Sequence, residues 1–75
     1  MTEEKLRKLG LNERQIKVML FVKENKKITN KSYRSITEIS DEGARVDLND
    51  LVDKGLLIVK GKGRGTFYTI NSLGD

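Results

Sequence analysis

The chain contains no cysteine and no histidine. The first absence excludes disulfides and thiol chemistry. Together they exclude zinc-finger ligand sets and any Ser–His or Cys–His catalytic arrangement. Aromatic residues are scarce, Phe21, Tyr33, Phe67 and Tyr68 being the whole complement. Long apolar runs are missing too. The longest, at residues 18–22, falls far short of the ~20 residues that a membrane span needs, and nothing resembles a signal peptide. The chain therefore reads as a soluble cytoplasmic protein with no membrane partner.

Its 75 residues set a further bound. One small domain is expected over 1–75, with its core in 11–70, a short helix within 1–10 and a tail at 71–75. A domain of this size buries only about 60% of the surface its unfolded chain exposes. Little room is left to enclose a pocket, so neither a small-molecule substrate nor a cofactor is expected. No nucleophile stands beside a base. Asp41, Asp47, Asp50 and Asp53 lack the spacing of a calcium loop and fall in a helical segment. The chain is not expected to be an enzyme.

Charge is plentiful but unevenly placed. Fifteen Lys and Arg against eleven Asp and Glu give a net +4. Residues 38–53 hold six acids and one base, Arg45, while the remainder holds fourteen bases and five acids. The chain is a basic body carrying one acidic segment. A basic excess is compatible with nucleic-acid binding.

Capping signals divide the chain into helices. Thr2 can cap a short helix that Gly10 ends, with Leu6 and Leu9 as its apolar face. Asn12 and Gln15 form a capping-box pair, with Leu11 and Ile16 at hydrophobic-staple spacing. The helix they start runs over 13–24, and Asn25 is a plausible stop. Residues 27–29 suit a short extended piece, after which Asn30 caps a second main helix through Thr37, with Tyr33 and Ile36 facing inward. Ser40 caps a third, whose first turn holds Asp41 and Glu42. Ala44, Leu48, Leu51 and Val52 form its core stripe, and Gly55 ends it. The period then changes. Residues 56–60 and 66–70 are rich in β-branched and aromatic residues and flank a glycine-rich loop at 61–65, a hairpin pattern.

The second and third main helices are separated by about three residues, which is helix-turn-helix spacing, and the hairpin that follows stands where a wing would. Several stretches resemble the winged helix-turn-helix domains of prokaryotic transcriptional regulators: Leu11-Asn12-Glu13-Arg14-Gln15, Ile28-Thr29-Asn30-Lys31-Ser32-Tyr33, Asp47-Leu48-Asn49-Asp50-Leu51-Val52-Asp53-Lys54-Gly55-Leu56-Leu57, and Gly61-Lys62-Gly63-Arg64-Gly65-Thr66-Phe67-Tyr68. The resemblance covers about residues 11–70 and is closest to the C-terminal domain of RecG-like ATP-binding regulators. It implies a mainly α fold with a small β hairpin, a three-helix core plus a two- or three-stranded wing. It also implies double-stranded DNA binding in transcription regulation, alone or as a module of a larger regulator. The third helix departs from the family pattern. Asp41, Glu42 and Gly43 stand where basic or hydroxyl residues are usual, and Val46 where an Arg commonly precedes the Asp-Leu pair.

The candidate DNA contacts fall in three groups. Lys60, Lys62 and Arg64 alternate with glycines, so that the wing backbone can approach phosphate or a minor groove. Lys27, Lys31 and Arg34 surround the start of the second helix, where free N–H groups also favour phosphate. On the third helix Ser40 is at the start, and Arg45, Asn49 and Glu42 lie roughly 100°, 140° and 160° around from Ala44. Arg, Asn and Glu can read guanine, adenine and cytosine respectively. Glu42 and Arg45 could equally pair with each other, and the charges elsewhere could be no more than solvated surface. The aromatics could stack on bases or fill the core. A second function class stays open: a protein-interaction or dimerisation module in which the acidic third helix, centred on Val46, docks a basic partner, a second copy or a domain of a parent protein.

Overall fold

The computed structural model describes residues 2–71. Its elements run α1 (Glu3–Lys8), α2 (Glu13–Asn25), β1 (Lys27–Ile28), α3 (Asn30–Thr37), α4 (Asp41–Asp53), β2 (Leu57–Lys60) and β3 (Phe67–Ile70), with a 3-10 turn at Gly63–Gly65. The mainly α fold with a small antiparallel sheet follows the expectation. The sheet has three strands in the order β1-β3-β2. Ile28 faces Tyr68 across one ladder, and Leu57 faces Ile70 across the other. The short extended piece after α2 is thus an edge strand that ties the wing back to the helices.

Local chemistry starts each helix. The Thr2 hydroxyl accepts from the Lys5 N–H, and the Ser40 hydroxyl from the Gly43 N–H. At α2 both halves of the capping box form: Gln15 N–H donates to Asn12 at 2.8 Å, and Asn12 N–H donates to the Gln15 side chain at 3.1 Å. Each such cap contributes about 1 kcal/mol. At α3 the cap is Thr29, not Asn30. The Thr29 hydroxyl accepts from Ser32 N–H while Asn30 is already helical. Two helices stop at left-handed residues that are not glycine, Lys26 (φ 77°) and Glu38 (φ 57°). Asn25, expected to end α2, is its last helical residue.

The core is one cluster in which Leu6, Ile16, Val18, Met19, Val22, Ile28, Tyr33, Ala44, Leu48, Leu51 and Leu57 are buried. α2, α3 and α4 surround it, and the sheet closes it. Leu6 is buried but Leu9, the C-cap of α1, is 48% exposed. Leu20 also lies at the surface. Tyr68 and Ile70 pack on the core and Phe67 does not, as strand alternation requires. Asn71 is anchored to the turn after α4 by its N–H to Leu56 and its amide to Gly55. The remainder of the expected tail, residues 72–75, lies outside the described residues.

Candidate nucleic-acid interface

α3 and α4 are joined by Glu38, Ile39 and Ser40 alone. Their relative placement is fixed from behind by Asp47. This carboxylate is buried on the inner side of α4 and collects donors from two other helices and a cap. Tyr33 Oη donates at 2.7 Å, Arg14 Nε and Nη2 at 2.8 and 3.2 Å, and Asn12 Nδ2 at 3.3 Å. Gln15 adds a bond from its amide to the Asp47 carbonyl at 3.1 Å, and another to Asp50 at 2.9 Å. Burial pushes the Asp47 carboxyl upward, but the bonds from Arg14, Tyr33 and Asn12 outweigh it and hold the group below its ordinary value. Burial, and then the bond to Asp47, push the Tyr33 phenol well above its own. Asp50 is held low by Lys54 and Gln15.

The sequence pattern alone does not reveal this latch. Asp47 lies roughly 60° from Ala44 on the far side of Leu51, at the margin of the apolar stripe. That marginal position is the signal the sequence holds. Its partners are 14 to 35 residues away in sequence.

On the outer side a cleft of about 430 Å³ opens between the start of α3, α4 and the wing. Lys31, Arg45, Asn49 and Arg64 all line it, together with Asn30, Asp41, Thr66 and Tyr68. Four expected contact residues from three separate segments thus meet at one concavity. The others lie outside it. Lys60 and Lys62 are exposed on the wing. Lys27 sits on the edge strand with its ammonium 5.4 Å from the Phe67 ring centre. Arg34 approaches Asp41 at 3.9 Å. The Ser40 hydroxyl is occupied by the cap at 3.1 Å. Glu42 is exposed on α4 away from the cleft. Asn30, relieved of the capping role, has a buried side-chain amide with no hydrogen bond.

Three of the six acids of the acidic segment are paired within the chain. Arg45 pairs with Asp41 at 3.0 Å, rather than with Glu42. Arg14 pairs with Asp47 and Lys54 with Asp50. Asp50 therefore faces α2 and its own helix end, not an outer acidic patch. Within this segment Glu38, Glu42 and Asp53 make no ion pair among the described residues. The wing owes its shape to Gly61, whose φ is +80°, and a Cβ there would meet the Gly65 carbonyl oxygen at 2.3 Å.

No protein-family model and no curated protein matches the chain. Among solved structures it is similar to reduced HlyU from Vibrio cholerae, with a TM-score of 0.76 at 25% identity, over 92% of this chain and 72% of that one. HlyU is a winged-helix transcriptional regulator. The fold is a winged helix. No helix among the described residues is long and apolar enough to cross a membrane.

Proposed function

We propose that this chain binds double-stranded DNA as a cytoplasmic transcriptional regulator, or as the DNA-binding module of a larger one of the RecG-like kind, without catalytic activity. The observation that carries this reading is the cleft, where cations from α3, α4 and the wing converge beside Asn49. α4 would lie in the major groove, where Asn49 reaches base edges. Lys31, with the first N–H groups of α3, would hold a phosphate on one side, and Arg64 and Lys62 would hold the backbone on the other. The similarity to HlyU supports a regulator at this level. The acids of α4 count less against it than their number suggests, because Asp41, Asp47 and Asp50 are paired inside the chain.

The test is a titration with random-sequence duplex at low salt, followed by amide chemical-shift mapping. Shifts are expected together at the start of α3, along the outer side of α4 and in the wing. Shifts confined to the wing would remove α4 from the interface, and an absence of binding would remove DNA altogether.

A further inference from the structure

α4 presents a side chain that folding does not explain. Its buried residues Ala44, Asp47, Leu48 and Leu51, with half-buried Val52, centre about 10° from Ala44. Val46 lies at about 200°, opposite that centre, and is 62% exposed, the most exposed of the large hydrophobics among the described residues. A β-branched residue at such a place gains little burial and is a mediocre helix former. Glu42, Val46, Asn49 and Asp53, at roughly 160°, 200°, 140° and 180° from Ala44, form the outermost face of the helix, all exposed. Arg45, one step round toward the wing, is tethered to Asp41 at 3.0 Å. A helix laid in a major groove sends deepest the side chain that points directly away from its own protein. The only apolar feature a base pair presents there is the thymine 5-methyl group.

We propose that Val46 is a specificity-determining residue that packs against the 5-methyl group of a thymine in the major groove. The inference rests on the DNA-binding reading and deepens it. Glu42 and Asn49, one turn to either side, fit the exocyclic amine of cytosine and the N6/N7 edge of adenine at neighbouring base pairs. The preferred site then carries a thymine at its centre, and the wild-type protein distinguishes thymine from uracil there. Burying one methyl group corresponds to about a fourfold change in affinity.

The experiment selects duplexes from a random-core library with the full chain. It then replaces each thymine of the enriched duplex singly by deoxyuridine, which lacks only the methyl group. One position, or two adjacent ones, should lose affinity about fourfold. Val46→Ser should bind thymine and uracil duplexes equally, while Val46→Thr, which keeps a methyl, should retain the discrimination. Circular dichroism on both variants checks that this exposed position leaves the fold intact. An enriched site with no thymine, indifference to uracil throughout, or an unchanged uracil penalty in Val46→Ser would each overturn the assignment while leaving DNA binding standing. A drop in mass by light scattering in Val46→Ser, with duplex affinity unmoved, would overturn it in favour of a protein contact. Failure to enrich any duplex would remove the DNA-binding reading itself.

Discussion

Asp47 shows how much one side chain can hold. Its carboxylate is 5% exposed while the Arg14 that pairs with it is 44% exposed, so the charge is satisfied from the protein side and only partly from water. The Tyr33 hydroxyl would be left without a partner if the carboxylate were removed by truncation, at a cost of about 1–3 kcal/mol. Asp47→Asn keeps the size and loses the charge, and the same range of destabilisation is expected at pH 7, read from denaturant melts. The folded-state carboxyl is held below its ordinary value. Its stabilisation is therefore complete above the unfolded-state value near ~3.9 and disappears as pH falls through the folded-state one. Wild-type stability should decline on acidification below about pH 4, and the decline should be shallower in Asp47→Asn. It should not vanish, since Asp50 and Glu13 are also held low by their partners. A parallel acid limb in the two proteins would show that Asp47 carries no charge-dependent stability.

The elements were the most legible part of the sequence, because their ends are written in local chemistry. Thr2, the Asn12–Gln15 box and Ser40 each name a helix start within three residues. At α3 the sequence points to Asn30, one residue past the actual cap Thr29, since both are good caps and only the backbone distinguishes them. Residues 56–60 and 66–70 suit strands by composition, yet β2 and β3 each begin one residue later, because the Leu56 N–H still donates to the Leu51 carbonyl of α4 and the Thr66 N–H to Gly63 in the loop. The wing is the element whose form depends most on a single position. Gly61 combines a left-handed backbone with a contact against the Gly65 carbonyl that leaves no space for a methyl group. Gly61→Ala is expected to rebuild the turn and cost about 1–3 kcal/mol. The helical core should keep its circular dichroism, because the buried cluster draws nothing from residues 61–65. Amide shifts should move in the wing and at its cleft neighbours Arg45 and Asn49. Unchanged wing shifts would mean that the turn tolerates a side chain.

Across the whole molecule, charge is where a linear reading goes furthest astray. Six acids within residues 38–53 look like an acidic surface, yet folding brings Arg14 from 33 residues away onto Asp47 and closes Asp41 and Asp50 within their own helix. The cleft cations were individually visible, but their convergence was not, since Lys31 and Arg64 come from opposite ends of the helix-turn-helix and wing segment. The folded molecule thus offers a basic cleft and wing, with half of the six acids of residues 38–53, Asp41, Asp47 and Asp50, paired internally. That arrangement has a measurable consequence in salt. Each phosphate neutralised by a Lys or Arg releases counterions, and the slope of log K against log salt changes by about one per contact. Lys62→Ala with Arg64→Ala, both on the exposed wing, should weaken binding to every duplex by a similar factor and flatten the slope by about two. Asp41→Asn should act in the opposite sense. It frees Arg45 from its 3.0 Å partner and removes the one carboxylate lining the cleft, so affinity for any duplex should rise at low salt and the slope should steepen. Anisotropy titrations of the wild type and both variants over a range of salt concentrations separate these effects. If the wing pair leaves the slope unchanged, the wing does not touch the backbone. If Asp41→Asn leaves it unchanged as well, the cleft is not the surface on which duplex DNA lies.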